Sequence, residues 1–218
     1  MDPGQSVPIL SRDPITMPDT QADVAAPLSK RPETLDFLLT RRSRPPKTLG
    51  LPVPDRAELS TLLRAAARVP DHGKLEPWRF VVLERGACQR LADLTAEIGR
   101  ADGRDPDALA KEVTSFADAN LVVAVILSPK ASEKIPVWEQ EMSAGAACLS
   151  LVNACLAAGW GAGWLTGWRA RHPGFCARGL NLGPSESVAG FVHIGTETRT
   201  PPERPRPDMD AITTWMAE

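Results

Sequence analysis

Val137-Trp138-Glu139-Gln140-Glu141-Met142-Ser143-Ala144-Gly145-Ala146-Ala147-Cys148-Leu149-Ser150-Leu151-Val152-Asn153-Ala154-Cys155-Leu156-Ala157-Ala158 is the stretch on which the fold turns. From Ala144 onward almost every position is small or apolar, so a helix here has hardly any polar face. A helix apolar all round must be enclosed on all sides. In a chain this short, its small residues point to another helix in close approach, with the same helix of a second subunit as the natural partner.

Gly159 ends this helix, residues 161–168 continue as a strand or extended glycine-rich segment, and residues 188–194 form a last strand before Gly195-Thr196. Upstream, Leu121–Leu127 is wholly apolar and is predicted to be a strand buried on both faces. Residues 88–100 and 107–119 read as helices and residues 79–83 as a strand. The best-signed helix begins at Asp55 as N-cap, with Glu58 at capping-box spacing. Leu59, Leu62, Leu63 and Ala66 follow at i, i+3, i+4, i+7, and Pro70 forces a stop. A shorter helix starts at Thr34 as N-cap, carries Leu35, Leu38 and Leu39 on one face and ends near Arg41-Arg42-Ser43.

This is an α+β pattern in one domain over residues 33–200. Residues 1–32 hold six prolines and no sustained periodicity, which predicts a flexible leader. Residues 201–218 read as an extended arm, marked by Pro201, Pro202, Pro205 and Pro207, with a terminal turn over residues 211–216.

Composition removes several classes of function. With 25 Lys and Arg against 27 Asp and Glu, the net charge is −2, far from the basic balance needed to neutralise nucleic-acid phosphates. No stretch approaches a membrane span, and the N-terminus lacks a basic region followed by an apolar one, so a cytoplasmic protein with a small-molecule partner is expected. Four cysteines without a CxxC pair predict buried reduced thiols, and three dispersed histidines offer no zinc site. Tyrosine is absent, and there is no GxSxG elbow, Walker A loop or GxGxxG turn.

Three groups of residues remain. Arg41, Arg42, Ser43 and Arg44 offer guanidinium forks and a hydroxyl, which suit a phosphate, although such a cluster also serves as a solvated helix face. Neighbouring helical residues point about 100° apart, so only one of the two leading arginines is expected to reach a given phosphate. Arg68 and His72 sit in a polar loop running to Trp78 and can donate to an anion or a heteroaromatic carbonyl. Alternatively, Asp71 and His72 simply cap and turn the chain. Gly159, Gly161, Gly163 and Gly167, interleaved with Trp160, Trp164 and Trp168, let backbone approach a flat ligand, or pack as a tight core strand.

In this order the pieces resemble the nitroreductase family, in particular its small minimal branch. The matching stretches are Arg41-Arg42-Ser43, Arg68-Val69-Pro70-Asp71-His72 with Pro77-Trp78-Arg79-Phe80, Val137 through Gly145, Gly161-Ala162-Gly163-Trp164, and Gly190 through Thr196. The resemblance implies a nitroreductase-like fold, with a central, mostly antiparallel sheet flanked by helices. It further implies an intertwined homodimer with FMN in the interface, and NAD(P)H as hydride donor. Arg41 or Arg42 with Ser43 would hold the FMN phosphate; Arg68 and His72, the ribityl chain or pyrimidine edge; and Trp164, Leu165 and Thr166 would line the flavin. Hydride chemistry at flavin N5 requires no protein acid or base. The acceptor would be a nitroaromatic, quinone or other small unsaturated compound reached by ping-pong exchange, its pocket shaped by small loops such as residues 99–106. The competing expectations are a redox-sensing or non-catalytic FMN dimer, specialised chemistry such as flavin fragmentation or reductive dehalogenation, and a structural dimer without cofactor.

Overall fold

A computed structural model of the protein describes residues 27–217. Its strands are β1 (Leu49–Gly50), β2 (Trp78–Glu84), β3 (Leu121–Leu127), β4 (Gly161–Leu165) and β5 (Ser187–Glu197). Its helices are α1 (Pro32–Thr40), α2 (Arg56–Ala66), α3 (Arg85–Ala101), α4 (Pro106–Ala117), α5 (Val137–Ala157), α6 (Pro173–Leu180) and α7 (Met209–Ile212).

β5 organises the sheet, and every pairing is antiparallel. β3 runs along one edge of β5, and β2 lies beyond β3. On the other edge β4 pairs through Gly161–Gly195 to Leu165–Phe191, after which β1 takes over at Thr196 and Glu197. The apolar run of β3 is buried at every position because both faces are covered by helices. Its period-2 alternation divides two cores. Val122, Ala124 and Ile126 pack with Leu91, Phe116 and Phe175 under α3, α4 and α6. Leu121, Val123 and Val125 pack with Leu59, Leu62, Leu151 and Cys155 under α2 and α5.

The capping box of α2 is present in full. Asp55 Oδ1 accepts from the amides of Ala57 and Glu58 at 2.8 and 2.9 Å, and the Glu58 carboxylate accepts from the Asp55 amide at 3.0 Å. Asp55→Ala strands these donors and is expected to cost about 1 kcal/mol, read as a lowered urea midpoint with unchanged m-value.

Several expectations need correction. α1 starts at Pro32, not at a Thr34 cap; proline's fixed φ suits the first helical position, and Arg31 precedes it without a side-chain cap. α3 runs on through Gly99 to Ala101, so the loop before α4 spans only residues 102–105. β4 stops at Leu165, where Gly167 at φ 87° turns the chain into a short 3-10 turn, Trp168–Ala170. α6 was not anticipated; His172 caps it by accepting from the Phe175 amide at 3.1 Å, Pro173 opens it, and left-handed Asn181 closes it. The last helix is Met209–Ile212, with no turn over residues 213–216. The leader reading falls largely on residues 1–26, outside the described residues.

α5 is the long helix expected, and one chain leaves part of its apolar surface open. One side of it is fully buried, yet Trp138, Met142 and Leu149 are 61%, 65% and 48% exposed. With Gly145 they fall at i, i+4, i+7 and i+11, an apolar stripe that one chain does not cover.

Candidate functional site

Arg41 ends α1, and the following residues run extended toward β1. The helical fan that would separate Arg41 from Arg42 therefore does not apply, and both turn onto Ser43. Arg41 Nη2 donates to Ser43 Oγ at 2.8 Å, and Arg42 Nη1 to the Ser43 carbonyl at 3.2 Å. This segment is seated on β4, because the Arg44 amide donates to the Ala162 carbonyl at 2.8 Å. A Cβ at Gly163 would lie 2.4 Å from the Arg44 carbonyl oxygen, so a side chain there would push the arginine segment off the strand.

The C-terminal arm folds back onto the same place. Arg42 Nη2 donates to the Pro202 carbonyl at 3.4 Å, and Arg206 stands close enough to help lower the Arg41 pKa. Burial is the larger cause of that shift, with Arg206, Arg42 and Arg44 adding repulsion. Two carboxylates serve this cluster: Glu197 pairs with Arg44 Nε at 2.8 Å, and Glu203 with Arg206 at 3.0 Å. Among the described residues, four guanidiniums against two carboxylates leave a surplus of two positive charges, and the Nε atoms of Arg41 and Arg42 are buried without hydrogen-bond partners. A phosphate monoester, carrying about −1.5 to −2 charge and three acceptor oxygens, satisfies such a site.

Next to it, Trp164 and Leu165 take opposite faces of β4. The indole lies over Gly190, where a Cβ would be 2.0 Å from Trp164 Nε1, and its far edge reaches Gly145 on α5. Thr166 and Gly167 follow, exposed. The short turn beyond is anchored in the core: Arg169 is buried, donates to the Glu112 carbonyl and Ser115 Oγ at 2.7 and 3.0 Å, and stacks over Phe116.

His193 is buried beside this group, and desolvation, aided by Arg169, pushes its pKa down to about 3. Unfolding returns it to about 6.5, so below that pH the unfolded chain takes up a proton that the fold refuses. This stability is complete above pH 6.5 and drains away toward pH 3. Between pH 7 and 5 the wild type is expected to lose about 2 kcal/mol more than His193→Gln, as read by urea denaturation at the two pH values.

Along α5, His72 and Pro70 line a cleft of about 350 Å³ with Trp138, Glu139, Met142 and Ser143. His72 Nδ1 lies 2.8 Å from Glu139 Oε2. Ser143 Oγ donates to the Pro70 carbonyl at 2.7 Å and accepts from Trp78 Nε1 at 3.0 Å, tying the loop to α5 and β2. Asp71 does cap the turn, accepting from the amides of Leu75 and Glu76 at 3.2 and 2.8 Å, while His72 stays exposed. Arg68 is exposed on the turn after α2.

The structure thus gathers Arg41, Arg42, Ser43 and the Trp164–Thr166 segment on one flank of α5. It places His72 in a cleft whose lining includes none of them. Gly145 faces Trp164, while Trp138, Met142 and Ala146 line the cleft, so the exposed stripe of α5 borders both groups of residues. Sequence reasoning gave no site role to Glu139 or Trp138. The four cysteines are buried and free, and burial pushes Cys148 and Cys155 up to about 12, which leaves no thiolate for chemistry.

Known proteins agree with this architecture. The model of the Nitroreductase family matches residues 40–196. The Escherichia coli K12 protein named "Putative NAD(P)H nitroreductase YdjA" is 32% identical over 164 residues, covering 75% of this chain and 88% of its own. Among solved structures, a nitroreductase-like family protein of Bacillus cereus superposes with a TM-score of 0.70 at 18% identity, over 89% of this chain and all of its own. A Desulfovibrio desulfuricans nitroreductase homologue, solved in complex with FMN, gives 0.68 at 19%, over 86% and 99%. No helix among the described residues is long and apolar enough to cross a membrane.

Proposed function

The chain belongs to the nitroreductase family, and from that premise we propose that it is a cytoplasmic, homodimeric, FMN-dependent oxidoreductase. It takes hydride from NAD(P)H and passes it to nitroaromatics, quinones or related small unsaturated acceptors. The observation that carries this reading is the arginine cluster, whose surplus of two positive charges and buried, unpartnered Nε atoms suit the FMN phosphate.

On this reading Arg41, Arg42 and Ser43 hold the phosphate, with Arg206 closing over it from the C-terminal arm. Trp164, Leu165 and Thr166 line the flavin ring. FMN, when bound, supplies the hydride chemistry, so the protein's task is orientation, electrostatics and exclusion of water. Arg68 and His72 serve the ring and ribityl edge of the flavin bound to the opposite subunit, because the cleft that holds His72 is lined by none of the phosphate residues of its own chain. Packing the Trp138–Met142–Leu149 stripe on its two-fold copy covers that stripe and joins each half-site to its complement.

The domain spans residues 33–200 and the arm contributes to its site. The direct test is the absorption spectrum of the purified, dialysed protein. Flavin bands near one FMN per chain are expected, whereas a colourless protein that FMN fails to reconstitute would remove the functional content of this reading.

A further inference from the structure

A second cavity, of about 440 Å³, opens on the opposite face of β4 from Trp164, between the Pro45-Pro46-Lys47 turn and α4. Leu165 forms part of its lining, and Ala119 adds to the apolar wall. Its size falls within the range of small-ligand pockets, and its lining is mainly apolar with a few polar groups at the rim, the usual make-up of such sites.

Those polar groups are lopsided in charge. The titratable residues lining the cavity are Lys47, Lys111 and Asp118, two ammonium groups against one carboxylate. None of the three side chains makes an ion pair or hydrogen bond among the described residues. Ser115, also in the lining, has its hydroxyl held by the buried guanidinium of Arg169, whose charge the neighbouring Glu112 carboxylate offsets. A mainly apolar cavity lined by two free ammonium groups against one carboxylate favours an apolar body carrying one negative charge.

We propose that this cavity binds a small aromatic carboxylate, and that Lys47 and Lys111 select it over uncharged analogues. Leu165 is common to the cavity and to the segment assigned to the flavin, so the bound anion sits beside the redox centre as a modulator. That role rests on the flavin reading, whereas the binding itself does not.

The test uses the dialysed holoprotein, titrated calorimetrically with 1-naphthoate and separately with neutral 1-naphthalenemethanol. One naphthoate per chain is expected, bound at least about tenfold more tightly than the alcohol, as charge-assisted contacts imply. The double variant Lys47→Gln, Lys111→Gln should bring the two affinities together, and Thr114→Trp, which fills the slot from the exposed side of α4, should abolish both. Equal affinities in the wild type, naphthoate binding untouched by either variant, or no binding at all would overturn the proposal. In the same preparation, flavin bleached by NADPH without naphthoate selectivity defeats this inference and leaves the redox reading standing. Selective binding to a protein that carries no reducible flavin does the reverse.

Discussion

Replacing Arg41 and Arg206 together with alanine is expected to weaken FMN binding about 100- to 10,000-fold while leaving the affinity for riboflavin nearly unchanged. Each guanidinium lost removes a charge-assisted contact to phosphate worth about 1.5–3 kcal/mol, and tenfold in affinity corresponds to about 1.4 kcal/mol. Riboflavin lacks the phosphate, so it separates loss of the anion site from collapse of the ring site. The double variant also relieves repulsion, since Arg41 is already disfavoured as a cation by burial and by its three arginine neighbours. The unliganded variant is therefore expected to unfold at no lower temperature than the unliganded wild type. Equal loss of FMN and riboflavin, measured by fluorescence quenching, would show that the cluster supports the fold and not the phosphate.

Leu149→Glu is expected to convert the protein from twice 23.5 kDa to 23.5 kDa in sedimentation equilibrium, with loss of bound flavin. The side chain is 48% exposed on one chain, so a carboxylate there leaves the monomer's packing intact. Across a two-fold contact along α5 it would be buried against apolar side chains without a partner, at a cost of several kcal/mol. Leu149→Met keeps the volume and polarity and should remain dimeric. A wild type that sediments as a monomer, or a variant that stays dimeric and yellow, would place the subunit contact elsewhere or remove it.

How much of this was legible beforehand varied with the range of the interactions involved. Helix α2 was readable to its cap, because a capping box is a local pattern and Asp55 with Glu58 satisfy it within four residues. Strand β3 was readable because seven consecutive apolar residues admit few alternatives, although neither its antiparallel partners nor the division of its residues between two cores shows in one strand's composition. Helix α6 was missed; its signals, Pro173 at the start and Asn181 at the end, are single residues among polar neighbours.

The arginine cluster was half legible. Arg41, Arg42 and Ser43 stand together in the chain, whereas Arg206 arrives from more than 160 residues away along an arm whose prolines fix local extension and say nothing about direction. The assumption that Arg41 and Arg42 continue a helix also failed, since the helix ends at Thr40 and the extended backbone lets both arginines meet at Ser43. The all-apolar character of α5 asks for a cover on every side. A single chain leaves that requirement unmet at Trp138, Met142 and Leu149, and their exposure is what points to a second copy.

The central claim, hydride transfer from a nicotinamide nucleotide through bound FMN, is tested most directly by anaerobic titration of the dialysed protein with NADPH and with NADH, followed by a quinone. The account predicts that at least one nucleotide bleaches the flavin bands at one equivalent per chain and that the quinone restores them. Flavin that stays oxidised with excess of both nucleotides, yet bleaches with dithionite, would contradict it.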